Sequence, residues 1–129
     1  PIWFGLAPGP RNLARIVEHG AGWAPWFGLP SGDPTRDVPR AMALERIAEG
    51  RERIHAALVE HGRDPASFAI RVMPEPAMGA QGFDLAATLA GAGDYVAAGA
   101  THLEFAPGLF CRDSSELANA LAEILALRG

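Results

Sequence analysis

Four short apolar runs punctuate the chain: Ile2 to Leu6, Gly22 to Phe27, Phe68 to Met73 and His102 to Ala106. Each is bounded by turn residues and is too short for a helix, so each predicts a buried strand. Between them, apolar positions recur every three or four residues, the period of an amphipathic helix. Over about Arg11 to His19, Leu13, Ile16 and Val17 fall on one face, and Gly20 marks the stop. The longest periodic stretch, about Arg40 to His61, aligns Leu44, Ile47, Ile54 and Leu58, with Glu45, Glu49, Glu52 and Arg53 on its other sides. Gly62 ends it, and Arg63-Asp64-Pro65 turns into the third strand.

A third helical stretch, Asp84 to Ala98, is interrupted by Gly91-Ala92-Gly93 and predicts two short helices or a kinked one, ended by Gly99. Asp113-Ser114-Ser115-Glu116 has the spacing of a capping box, with Leu117, Leu121, Ile124 and Leu125 as the buried face of the helix that follows. The Pro- and Gly-rich stretch from Gly28 to Pro39 reads as a loop on the scaffold rather than a domain linker.

Strand and helix alternating four times, with crossovers long enough for parallel pairing, predict an α/β fold. A complete (β/α)8 TIM barrel takes about 250 residues, and four βα units in 129 residues make half of one. A single domain over residues 1–129, built as a half-barrel of parallel strands with outer helices, is the expected architecture. The rival is an open doubly wound sheet, which would carry helices on both faces. Its phosphate fingerprint calls for three glycines after the first strand, whereas "GLAPGPRN" has only Gly5 and Gly9 and sets Pro8 and Pro10 where backbone donors are needed.

Charge and composition narrow the function. A formal charge of −4 and eleven scattered arginines leave no basic stripe for nucleic acid. No apolar run reaches the roughly 18 residues a membrane span needs, and no signal-peptide pattern opens the chain, so a cytoplasmic protein is expected. All eleven basic side chains are arginine, and without lysine there is no Schiff-base chemistry. Cys111 is the single cysteine, so no intramolecular disulfide or thiolate metal cluster can form. No His, Cys or acidic residues have metal-ligand spacing, and no Ser lies in a nucleophile elbow.

The stretch "PIWFGLAPGPRNLARIVEHGAGWAPW" resembles the part of luciferase-like flavin and deazaflavin oxidoreductases in which a strand ending in Gly-Gly leads through a short helix to Asp-Gly-Trp. The helix ending in "HGRDPASFAIRV" and the segment "YVAAGATHLEF" resemble the approaches and strands seven and eight of the same barrel. The resemblance covers essentially the whole chain and implies strands five to eight, the C-terminal half of the luciferase-like monooxygenase barrel. It implies FMN or the 8-hydroxy-5-deazaflavin coenzyme at the C-terminal face, and a small-molecule substrate oxidised or reduced there. Gly5 stands at the first glycine of the family pair and Leu6 at the second; Gly22 and Trp23 match, while Ala21 replaces the family's Asp. Because the family takes its acid/base groups from the first four strands, this chain alone is expected to be inactive.

Cofactor contacts are expected at Gly5, Leu6 and Ala7, where a strand-to-helix turn offers N–H groups and a favourable dipole; the alternative is an ordinary βα turn. Trp3, Trp23 and Trp26 are either an aromatic wall or core. Arg71 and Glu104, on neighbouring strands, are expected to form a buried ion pair in the barrel interior or to face the substrate pocket with Trp23 and Trp26. His19, His55 and His61 read as solvated helix positions, and His102 lies at a strand start, the stability end of a barrel. Half a barrel leaves unpaired edges and a bare face, so the chain is expected to form a homodimer or to join a missing N-terminal half. The other functional reading is a non-catalytic half-barrel serving as an assembly or binding module.

Overall fold

The computed structural model describes residues 1–127. The elements in chain order are Trp3–Phe4 (β1), Pro10–His19 (α1), Gly22–Trp23 (β2), Arg40–Glu60 (α2), Ala69–Val72 (β3), Ala77–Gly79 (β4), Gly82–Asp84 (β5), Leu85–Ala90 (α3), Ala92–Ala98 (α4), His102–Leu103 (β6) and Leu117–Ala126 (α5). Strands β1, β2, β3 and β6 form one parallel sheet in that spatial order, which is also their order along the chain, with β4 and β5 set apart between β3 and β6. The register aligns Trp3 with Gly22, Gly22 with Ala69, and Arg71 with His102.

Alternation along these strands sorts the side chains onto two faces. Phe4, Trp23, Ile70, Val72 and Leu103 face the core, where Ile16 and Val17 of α1, Ile47, Ile54 and Leu58 of α2, and Tyr95 of α4 complete one hydrophobic cluster. The other face carries Trp3, Arg71, His102 and Glu104 and keeps substantial solvent exposure. Mixed α/β architecture with a parallel sheet flanked by helices is therefore what the alternating pattern produces.

The expected strands are all present but shorter at their C-terminal ends. Beyond Phe4, Trp23 and Leu103 the chain turns at once into loops, where Pro8, Pro25 and Pro107 remove ladder donors. The long helix and the break at Gly91 fall where the periodicity puts them. An antiparallel hairpin, β4 with β5, was not expected. It turns at Ala80-Gln81 between Gly79 and Gly82 and is tied to α3 by the buried Thr88 hydroxyl, which accepts from Ala77 N–H at 2.9 Å and donates to the Asp84 carbonyl at 2.6 Å.

Two expectations at the C-terminus need correction. Asp113 and Glu116 do not make a reciprocal box: Asp113 accepts from Ser115 N–H at 2.8 Å, Glu116 accepts from Arg112 N–H at 2.9 Å, and the helix starts only at Leu117. The predicted buried face of α5 is mostly open. Leu117, Leu121 and Leu125 are 39%, 42% and 52% exposed, and only Ala120 is buried. The helix touches little besides the short 3-10 turn Pro107–Leu109, so its apolar stripe lacks a partner among the described residues.

Trp23 reaches α2 at Gly50, and no larger residue fits between them. A Cβ at Gly50 would stand 2.7 Å from Trp23 Cζ3 and closer still to Cη2. Gly50→Ala gains about 1 kcal/mol of helix propensity and loses about 1–3 kcal/mol to overpacking. The indole cannot swing away, because it is 3% exposed and its Nε1 is bonded. The expected outcome is net destabilisation, read as a lower denaturant midpoint, with partial recovery when Trp23→Phe is added; a midpoint equal to or above wild type for Gly50→Ala alone would contradict this packing.

Candidate functional site

The β1–α1 turn is folded by its own carbonyls. Gly9 N–H donates to the Ala7 carbonyl at 2.8 Å, Asn12 Nδ2 donates to the same oxygen at 3.0 Å, and Trp23 Nε1 donates to the Leu6 carbonyl at 2.9 Å. Among the described residues, no hydrogen bond uses the N–H groups of Leu6 or Ala7. Gly9 precedes α1 with no side-chain cap, and Pro10 opens the helix. Gly5 is not demanded by the backbone: a Cβ there would meet only the Ala24 carbonyl, at 3.4 Å.

This turn forms one wall of a cavity of about 420 Å³. Gly5, Leu6 and Ala7 share it with Trp23 and Trp26, so five of the seven residues expected at the cofactor contact and substrate pocket come together. The opposite wall is α2, which contributes Arg46, Glu49 and Arg53. Those three were absent from the candidates, because a charged helix face in sequence looks solvated; only the packing of α2 against Trp23 turns it toward the β1–α1 turn. Glu49 lies 3.7 Å from Arg53. Within the described residues, no carboxylate comes within 4.0 Å of Arg46.

Arg71 and Glu104 are elsewhere, on the bare face of the sheet. They pair, Nε to Oε2, at 3.2 Å, but the pair is not buried: the side chains are 44% and 48% exposed, because no element among the described residues covers that face. The Arg71 guanidinium also lies 5.0 Å from the Trp3 ring centroid, and His102 meets the Trp3 ring edge-on at 6.1 Å. The substrate-pocket set drawn from the sequence is thus split, Trp23 and Trp26 on one side of the sheet and Arg71 with Glu104 on the other.

Of the remaining polar candidates, His19 sits exposed beside Glu18, and His61 Nδ1 is 2.8 Å from the Ala57 carbonyl. Burial, helped by the Arg51 charge, holds the His55 imidazole below its ordinary range. Cys111 Sγ is half-buried and 3.3 Å from the Pro107 carbonyl. No group of three or more His, Cys, Asp or Glu side chains among the described residues is arranged to hold a metal.

Glu75, which follows the C-terminal end of β3, is a further residue missed in the sequence. Its N–H donates to the Tyr95 hydroxyl at 3.0 Å, and Arg40 covers the Tyr95 ring at 5.7 Å while pairing with Asp94. Burial, and secondarily the charge of Asp37, push the Glu75 carboxyl above its usual value of 4.5, against the pull of Arg40. A raised folded pKa stabilises the fold fully below the unfolded value, and that contribution is lost as pH rises through the folded one. Glu75→Gln is therefore expected to raise the melting temperature at neutral pH and to match wild type below pH 4.5; thermal unfolding across that range checks it, and a gap independent of pH would point to another cause.

No protein-family model, no curated protein and no solved structure matches this chain.

Proposed function

We propose that this chain is the C-terminal half of a luciferase-like (β/α)8 barrel from a flavin- or deazaflavin-dependent oxidoreductase, with the turn Gly5-Leu6-Ala7 contributing the cofactor's phosphate site. The observation that carries the reading is the singly wound sheet. Strand order follows chain order, the core helices lie on one face, and Trp3 of β1 meets His102 of β6 across three strand spacings. At about 4.8 Å per spacing the outer strands of a flat sheet stand about 14 Å apart. Contact between their side chains favours a sheet curled toward its bare face, as a barrel wall is. A doubly wound sheet would instead carry helices on both faces.

In this reading the bare face is the barrel interior, and a complementary half, either four further βα units or a second copy, closes over it. Acid/base chemistry belongs to that half, and this chain supplies the phosphate-binding turn. The cofactor, FMN or the 8-hydroxy-5-deazaflavin coenzyme, would bring the hydride chemistry, while the residues here hold its charged arm through Leu6 and Ala7 N–H groups. A second reading, a non-catalytic assembly module of the same architecture, draws support from Leu6 at the family's second glycine and Ala21 in place of its Asp.

Fluorescence titration with each cofactor separates the two. Saturable binding of one of them is expected, together with its loss in Gly5→Ala, whose added methyl stands in the turn where the phosphate approaches. The unfolding midpoint of that variant should stay within about 0.5 kcal/mol of wild type, as for a substitution that disturbs no packing. A folded wild-type protein that binds neither cofactor would leave the module reading in place. Sedimentation should give twice the 13.6 kDa chain mass when no complementary half is present, and a monomer would rule out closure by a second copy.

A further inference from the structure

The cavity beside the β1–α1 turn has the opposite charge to the molecule around it. The chain carries a formal charge of −4, yet the ionisable side chains lining this space are two guanidiniums and one carboxylate. Arg46 and Arg53 are seven residues apart, two turns of α2, which sets them about 10 Å apart along the axis at 1.5 Å per residue. Gly50, between them, lies against Trp23 in the sheet. Arg46 therefore stands one turn toward the N-terminus of α2, the end of the helix nearest the β1–α1 turn. Trp26, 59% exposed, offers an indole to the same space.

An arginine without a carboxylate partner, a second one held only loosely by Glu49, amide N–H groups left free on the facing turn, and an exposed indole are the parts of an anion site with an aromatic flank. We propose that this cavity binds a small molecule carrying two anionic groups on a flat apolar body: one group at Arg46 and the Leu6 and Ala7 amides, the other at Arg53 in exchange for Glu49. The inference deepens the proposed cofactor site and rests on it for the Leu6 and Ala7 contacts alone; the guanidinium pair stands on the cavity's own charge. It also discriminates between ligands. A molecule with one phosphate uses half of the site, and one with a second acidic group about 10 Å away uses all of it.

The test is a titration of the whole chain with biphenyl-4,4′-dicarboxylate, whose two carboxylates stand about 10 Å apart on a flat apolar body, the spacing of the two arginine positions along α2, followed by amide and arginine Nε resonances. Saturable shifts are expected at Leu6, Ala7, Arg46 and Arg53. Arg46→Gln and Arg53→Gln should each weaken binding by about tenfold, the effect of losing one charge-assisted contact. Glu49→Gln should tighten it, and Arg112→Gln, far from the cavity, should change nothing. No shift at the cavity, or equal weakening by Arg112→Gln, overturns the proposal. Dicarboxylate binding here with neither flavin cofactor bound defeats the cofactor reading and leaves the anion site; cofactor binding insensitive to both Arg46→Gln and Arg53→Gln does the reverse.

Discussion

The Trp23 indole joins the core to the candidate site, and much of the structure depends on where it sits. Its ring fills the space between the sheet and α2, which only glycine at position 50 leaves open. Its Nε1 is bonded to the Leu6 carbonyl, so the same side chain that packs the core fixes the β1–α1 turn. A buried indole needs a partner for its N–H, and here that need shapes the turn. With the Leu6 carbonyl engaged by Trp23 and the Ala7 carbonyl by Gly9 and Asn12, the two amides stay without a hydrogen-bond partner among the described residues. The cavity is thus a by-product of core packing, which gives it a wall held by Trp23.

The second constraint is the bare face. The apolar side chains that the strands direct toward α1, α2 and α4 are buried or partly buried, and the face directed the other way carries Trp3, Arg71, His102 and Glu104 beside the small Gly22 and Ala69. Trp3 lies across Gly22, where a Cβ would come within 2.6 Å of its Cζ3, and reaches toward Arg71 and His102. The open Leu117, Leu121 and Leu125 stripe of α5 is a second uncovered surface, on a helix that follows the last strand. Among the described residues two surfaces are thus left uncovered, one at the sheet and one at the helix that follows its last strand.

Much of this was legible from hydrophobic periodicity, because the elements are local. The 3.6-residue pattern of Leu44, Ile47, Ile54 and Leu58 needs no tertiary information, and the glycine break at Gly91 acts through the backbone alone. The hairpin β4–β5 was not legible: three-residue strands carry too few positions for a period, and their pairing is held by Thr88, whose role appears only once α3 is in place. The burial of α5 was misjudged for a different reason. Periodicity reports which face seeks cover and is silent about whether cover is present. At the site, Gly5 to Ala7 and the tryptophans could be found because glycine and indole are informative residues. Arg46, Glu49 and Arg53 could not, since their place on the cavity wall depends on which neighbour α2 turns that face toward.

The Arg71–Glu104 pair limits what can cover the sheet. Half-exposed as it is, a pair of this kind contributes about 0–1 kcal/mol, so it does not account for its own placement as a stabilising device. Covered by an apolar surface, the pair would lose its water and face a desolvation cost that mutual attraction at 3.2 Å offsets only when further hydrogen bonds complete both groups. A cover that fits must therefore bring polar groups or leave water at this spot while packing against Trp3 nearby. A purely apolar layer satisfies the indole and penalises the ions. A cover that keeps polar groups or water over the ions satisfies both, and on that ground the composition of the bare face suits a solvated neighbour better than a dry one.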